Sequence, residues 1–542
     1  MKAIYFIGLL LGVSIFAKIE AKTINLGCFS AQKSTITIMI DNKIEDWRIS
    51  AEENPDILRV FCQKKVNVRF CLSNDTIKFQ LKANDTVNFV IITKQKDSAF
   101  TQVIGVNKIS NSISKAEKIY HLSHLWSEVK YNFVNIDKID FDWDSLYFAY
   151  ISQVVATSND YQYYLLLQRF LASLHDGHTH IFMPDDFGVF RDYAPIGVET
   201  FEKKVYITSI RKGIGMDSSF LGGEIIKIDN IPTEKYLQEF VIPYIAASTE
   251  AHLWMQVEAK ITYNFRSKPL NIVVKMQNGN IKSISIQRNG EATRTANEEY
   301  WNLIDKKEQK YEYVQLIWLQ DSILHLKINR FYPENEVDSL LWAYQYEIRK
   351  AKKLIIDLRS NGGGSTGVAW TLQSFLTKGK YFLNFGWQSR INDGVKKANG
   401  NWIKECEDFY LERAYRSEEP DTVFVDDTIV RWTMPTAILI GEYTFSAAED
   451  FLINLYEVPD RPILIGRPTG GSTGSPLVIF GMPLDGAARL CTKRQFYPYS
   501  KTPFVNKGIL PDIVVPHTWE NYLSNKDIAL EKAVEYLKSK EK

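Results

Sequence analysis

Four short apolar runs constrain this chain most: Ile323 to Ile328, Leu354 to Leu358, Ala437 to Ile440 and Ile463 to Ile465. They are interleaved with helical patterns near Val337 to Ile348 and Val368 to Leu376. Such short, near-continuous runs suit strands buried on both faces. Strands alternating with helices imply an α/β sheet. Within the third unit, Thr436-Ala-Ile-Leu-Ile-Gly-Glu-Tyr-Thr-Phe-Ser-Ala-Ala-Glu-Asp-Phe-Leu-Ile-Asn-Leu455, Gly441 bounds the strand and Ser446 stands just before a helical stretch. A hydroxyl there lies at the carboxyl end of the sheet, where open α/β folds place ligands. It also sits beside the unpaired N–H groups of a first helical turn, which can stabilise an oxyanion. The competing reading is plain helix capping, for which serine is a favoured residue.

The other parts of the chain follow different patterns. With 542 residues, three to four domains are expected. Met1-Lys2 followed by the apolar stretch Ala3 to Ala17, with a small-residue site near Ala21, reads as a signal peptide over 1–21. Its apolar stretch is short for a membrane span, and charges at Lys18, Glu20 and Lys22 follow it, which also argues against Cys28 as a lipoprotein cysteine. Residues 22–113 are strand-like, with runs at Ile36 to Ile40, Val66 to Phe70, Ile77 to Leu81 and Val87 to Ile92. Helical periodicity fills 114–190: Leu122, Leu125, Trp126 and Val129 share one face, and Asn159-Asp160 caps a helix carrying Leu165, Leu166, Phe170, Leu171 and Leu174. Short strands return over 191–320, including Gly222-Gly-Glu-Ile-Ile-Lys-Ile-Asp-Asn-Ile-Pro232. The α/β core occupies 321–520 and a terminal amphipathic helix 521–542.

Charge excludes some partners. The chain has 65 basic and 64 acidic residues, so nothing points to nucleic acid. Five cysteines are few for a disulfide scaffold; a Cys62–Cys71 bridge is open in an oxidising compartment, and the odd count leaves a thiol over.

Three further segments carry candidate chemistry. Leu354-Ile-Ile-Asp-Leu-Arg-Ser-Asn-Gly-Gly-Gly-Ser365 is a strand opening into a glycine-rich loop, suited to close approach of an anion, but no lysine occupies a P-loop position. Ser365 and Ser472 each sit in a Gly-x-Ser-x-Gly match, although a nucleophile elbow needs the serine nearer its strand. His175-Asp-Gly-His-Thr-His180 follows a helix. Its imidazoles allow a zinc site at His175, His178 and His180, a general base for a distant serine, or simple interaction with the helix end.

Taken in order, Leu-His-Asp-Gly-His-Thr, Gly-Gly-Glu-Ile-Ile-Lys-Ile-Asp-Asn-Ile-Pro, Ile-Ile-Asp-Leu-Arg-Ser-Asn-Gly-Gly-Gly, Thr-Phe-Ser-Ala-Ala-Glu-Asp, Gly-Arg-Pro-Thr-Gly-Gly and Lys-Gly-Ile-Leu-Pro-Asp-Ile-Val-Val closely resemble the tail-specific, C-terminal-processing protease family, from about Leu122 to Leu537. That family includes tricorn protease and the interphotoreceptor retinoid-binding protein modules. The resemblance implies a crotonase-like ββα-spiral core of α/β class, a PDZ-like β-rich insert, the helical segment and an N-terminal all-β domain. It implies Ser446 as nucleophile and the N–H groups of Gly363 and Ala447 as oxyanion hole. Where many members carry a base lysine, this chain has Ser472. His178 matches the histidine of the tricorn-like branch and is assigned as the base. The position of the tricorn supporting acid is matched by Val505, so another carboxylate must orient the base or the site is weakened. Glu449, one helical turn beyond Ser446, is read as first-turn stabilisation of its helix.

The expected protein is an exported serine endopeptidase, periplasmic or extracellular and bacterial in style. It acts on peptides or polypeptide tails and needs no metal or organic cofactor, no nucleic acid and no membrane segment after signal removal; its oligomeric state stays open. The alternative is a catalytically silent binding protein for hydrophobic ligands or peptides on the same fold.

Overall fold

In the computed structural model the described residues are 57–62, 88–95, 98–105, 112–265, 268–291, 298–304, 311–472 and 474–540. The signal-peptide segment 1–21, the runs Ile36 to Ile40, Val66 to Phe70 and Ile77 to Leu81, Cys28, and any pairing of Cys62 with Cys71 lie outside what is described. The chain divides into two units. In the first, Ile57–Cys62, Asn88–Gln95 and Ser98–Gly105 form an antiparallel three-stranded sheet in that order.

The centre of the second unit is a six-stranded sheet whose spatial order follows the chain: β1 (Val314–Trp318), β2 (Ile323–Ile328), β3 (Lys353–Asp357), β4 (Thr436–Ile440), β5 (Ile463–Gly466) and β6 (Ile513–Val514). β1 is antiparallel to β2, and every later pair is parallel. The apolar runs are near-continuous because both faces are covered. Leu354, Ile356, Ile438 and Ile440 pack against helices α1 (Glu334–Ile348), α2 (Thr366–Leu376) and α3 (Ala447–Tyr456). Their alternates Ile355, Ala437 and Leu439 pack against α4 (Ile528–Ser539) through Ala529, Ala533 and Leu537. Period-2 side-chain alternation assigns each residue its face.

Two further regions of this unit supply the site. The helices Lys115–Asn132, Trp143–Ala156 and Asp160–Ala172 each begin at a capping side chain, Ser114, Asp142 and Asn159, and deliver the chain to the 175–180 segment. A second sheet is built on Ile196–Phe201, Lys204–Arg211, Glu224–Ile228, Leu270–Lys275 and Ile281–Ile286, with the helices Thr233–Phe240 and Glu250–Thr262. The expected strand after Gly222-Gly223 is Glu224–Ile228, and Asp229 and Asn230, both at positive φ, turn the chain into Ile231–Pro232. A small antiparallel sheet then joins distant segments: Ala487–Cys491 lies between Pro476–Ile479 and His180–Phe182. That sheet ties the strand just after His178 to the strand just after Ser472. No helix among the described residues is long and apolar enough to cross a membrane.

Candidate active site

Three loops at the carboxyl ends of β3, β4 and β5 meet the 175–180 segment. Ser446 occupies the position before α3 yet makes no side-chain cap bond, so the capping reading fails. Its backbone sits at φ 56°, ψ −127°, a conformation that costs a non-glycine residue roughly 1–3 kcal/mol and persists only where its surroundings impose it. They do so here: Phe445 N–H donates to Asn361 O (3.1 Å) and Ser446 N–H to Ser472 O (3.3 Å).

His178 Nε2 stands 3.1 Å from Ser446 Oγ, across 268 positions of sequence. The other ring nitrogen, Nδ1, is 2.8 Å from Ser472 Oγ, and Ser472 Oγ donates to Asp176 Oδ2 at 3.4 Å. Asp176 Oδ1 accepts from His178 N–H (3.0 Å) and Thr179 Oγ1 (2.9 Å). The Phe445 ring stacks on the imidazole, with centroids 4.6 Å apart and planes 13° apart. Burial, and secondarily the positive charge of Arg489, push His178 down to about 3. Burial raises the Asp176 carboxyl, against the donors that favour its ionised form.

Gly363 lies against the serine. A Cβ there would fall 2.6 Å from Phe445 O, 2.7 Å from Ser446 Cβ and 2.8 Å from Ala447 N, and φ is +91°. Only glycine permits that approach. Ala447 N–H has no hydrogen-bond partner among the described residues. Gly363 N–H is different: it donates to Asn361 Oδ1 at 2.9 Å, and Asn361 Nδ2 is fixed on Ile328 O at 3.1 Å. Of the two expected oxyanion donors, one is free and the other is engaged.

The remaining candidate residues have other settings. Ser365 caps α2, accepting from Gly367 N–H (3.0 Å) and donating to Glu334 Oε2 (2.8 Å), so it is no nucleophile. Ser472 is fully buried behind His178, which removes the second elbow. The three histidines diverge: His175 is exposed, His180 turns Nδ1 to Gly177 O, and no metal-holding group of three exists among the described residues. Val505 is core, packed with Phe504 and Ile509. Glu449 lies in the first turn of α3, as read, but its carboxyl is hydrogen-bonded to another loop. It accepts from the Thr469 hydroxyl, Gly471 N–H (2.8 Å) and Ser472 N–H (3.1 Å). The contacts that Ser472 and Asp176 make with His178 and with each other were not legible in the sequence. A signal was present in Asp176-Gly-His178, an acid two positions from the histidine, but nothing local shows that a serine nearly 300 positions away would come between them.

Residues 322–515 match the family model described as peptidase family S41. No curated protein matches the chain. Among solved structures, mature CPAF complexed with lactacystin is 15% identical with a TM-score of 0.55, covering 78% of this chain and 97% of that one. A mutant CPAF is 13% identical with a TM-score of 0.56, covering 78% and 98%. The photosystem II D1 C-terminal processing protease is 14% identical with a TM-score of 0.41, covering 76% and 98%. The likeness to CPAF is one of fold.

Proposed function

We propose that this chain, a serine-type peptidase carrying a family S41 domain at residues 322–515, cleaves peptides or polypeptide tails through an acyl-enzyme on Ser446 with His178 as general base. The observation that carries this reading is the pair of contacts on one imidazole, Ser446 Oγ at 3.1 Å on Nε2 and Ser472 Oγ at 2.8 Å on Nδ1. With the Asp176 carboxyl ionised, hydrogen-bond bookkeeping assigns the tautomer. Asp176 Oδ2 accepts the Ser472 proton, so Ser472 Oγ accepts from Nδ1–H, and Nε2 is left with a lone pair facing the Ser446 hydroxyl.

In this mechanism Nε2 takes the Ser446 proton as Oγ attacks the scissile carbonyl, and then returns it to the leaving amine. Ala447 N–H and Gly363 N–H hold the oxyanion, Gly363 exchanging Asn361 Oδ1 for the substrate oxygen. A base held near 3 is always in its neutral form at physiological pH; its basicity rises when the oxyanion forms beside it. The core belongs to the crotonase-like ββα-spiral class, and the 191–320 region acts as a PDZ-like insert that captures an extended chain by strand addition. The protein is exported, to a periplasm or beyond the cell, with 1–21 as its signal.

A fluorophosphonate probe tests the assignment. Labelling of the wild type that is lost in Ser446→Ala, together with hydrolysis of an unstructured protein, supports it. No labelling and no hydrolysis would instead favour the silent binding protein.

A further inference from the structure

Glu449 is fully buried in the first turn of α3, no cation pairs with it among the described residues, and the chemistry above does not use it. All three of its donors come from one loop: the Thr469 hydroxyl, Gly471 N–H and Ser472 N–H. The same turn of α3 also holds the other side of Ser472, because Ser446 N–H donates to Ser472 O. Ser472 is therefore gripped at its N–H by Glu449 and at its carbonyl by the nucleophile itself. Its hydroxyl is what meets His178 Nδ1.

The loop has no slack elsewhere. A Cβ on Gly471 would meet Thr249 Cγ2 at 2.5 Å and Gly508 N at 3.0 Å, and φ there is +79°. Thr469 Oγ1 accepts from Ile509 N–H at 2.7 Å while it meets the Glu449 carboxyl. Burial pushes Glu449 up to about 8, with Asp450 a smaller contributor. That cost is sustained for a hydrogen-bonding pattern directed wholly at the 469–472 loop.

We propose that Glu449 is a positioning residue for the Ser446 reaction, acting on the base by clamping the 469–472 loop so that Ser472 holds His178 Nδ1. It touches neither substrate nor the reacting atoms. The inference rests on the peptidase reading above. An amide at 449 cannot reproduce the clamp in either protonation state, since its nitrogen accepts nothing and leaves Gly471 or Ser472 N–H without a partner. With Ser472 released, water reaches Nδ1 and the His178 pKa climbs toward its ordinary value.

The test is a double-mutant cycle of Glu449→Gln and Ser472→Ala, read by kcat, KM and the acid limb of the pH–rate profile of the full chain on a fluorogenic peptide. Expected for Glu449→Gln is a 10- to 100-fold loss of kcat, KM within twofold, and an acid limb moved to higher pH. The double variant should lie within threefold of Ser472→Ala alone, because both changes act through one contact. Losses that multiply, an unmoved acid limb, or a kcat within twofold of wild type would each overturn the proposal. Should Glu449→Gln not fold, Glu449→Asp carries the same test, its carboxylate ending a methylene short of Ser472 N–H. Fluorophosphonate labelling separates the two levels. A wild type that does not label overturns the peptidase reading and this inference together. A wild type that labels on Ser446, beside a Glu449→Gln variant that labels at the same rate, overturns this inference only.

Discussion

Removing one hydroxyl should expose how the base is oriented. Ser472→Ala takes away the atom 2.8 Å from His178 Nδ1, and both residues are buried, His178 at 2% exposure and Ser472 at 0%. The Nδ1–H is then left without an acceptor in a dry site, at a cost of about 1–3 kcal/mol. Part of that cost falls on the resting enzyme and shows as lost stability. The larger part falls on the transition state, where the ring carries a proton on both nitrogens and needs its acceptor most. At about 1.4 kcal/mol per tenfold, kcat/KM should drop roughly 5- to 150-fold. Steady-state hydrolysis and second-order fluorophosphonate labelling should fall together, since both report attack by Ser446. A Ser472→Ala enzyme within twofold of wild type would refute the relay, and a change confined to KM would do the same.

Three other outcomes are expected. Asp176→Asn should cost more than Ser472→Ala, on the order of 10⁴-fold in kcat, because an amide NH₂ facing Ser472 reverses the relay and puts the proton on Nε2, where it blocks the Ser446 hydroxyl; a milder loss than Ser472→Ala, measured on the same peptide, would contradict this. Ser446→Gly should unfold at a higher temperature than Ser446→Ala, since both lose the hydroxyl but only glycine relieves the φ 56° backbone; about 1–3 kcal/mol of strain less about 1 kcal/mol of unfolded-state entropy decides the margin, and calorimetry reads it. On pH, burial lowers His178 to about 3 and His180 and His252 to about 4, each from 6.5, so the unfolded chain takes up protons that the folded chain refuses. The histidine contribution to stability is therefore full above 6.5 and is lost as pH falls toward 4, while buried Glu449, raised to about 8, contributes with the opposite sign; hydrolysis per folded molecule stays level from pH 7 to 5, and an activity limb near 6.5 would show a solvated base.

The parallel strands were legible because burial on both faces writes itself as unbroken apolar runs, and the recovered strands β2 to β5 match those runs to within a residue or two. The Asn159 cap and the strand after Gly222-Gly223 were legible for local reasons, a capping side chain and paired glycines. β1 was not, since Val314–Trp318 is an edge strand with an ordinary mixed pattern that no periodicity separates from the preceding strands. In the candidate site, Ser446 stood out by its place between a strand and a helix, whereas His178 was separated from His175 and His180 only by the family resemblance. Ser472 could be located but its work could not, because a serine that cannot act as a base can still accept from one. The loop contacts of Glu449 were hidden for a physical reason: acids in a first helical turn commonly serve the helix, and only the tertiary fold reveals that this one also faces another loop.

A base without a carboxylate in direct contact must have its developing charge met in some other way. Asp176 reaches the imidazole only through the Ser472 hydroxyl, and that second link, 3.4 Å long, is the weaker of the two. The Phe445 ring supplies another means. It lies nearly parallel to His178 at 4.6 Å, and the negative face of an aromatic ring attracts a cation at that range, by about 2 kcal/mol or more where water is excluded. The neutral imidazole gains little from this, so the attraction favours the transition state over the ground state, which is the only kind of binding that accelerates the chemical step. Phe445 is also the residue whose N–H, bonded to Asn361 O, fixes the approach to Ser446. On the proposed mechanism, the strained turn before α3 sets the nucleophile and the counter-surface of the base with the same few residues, while the acid acts from one serine further away.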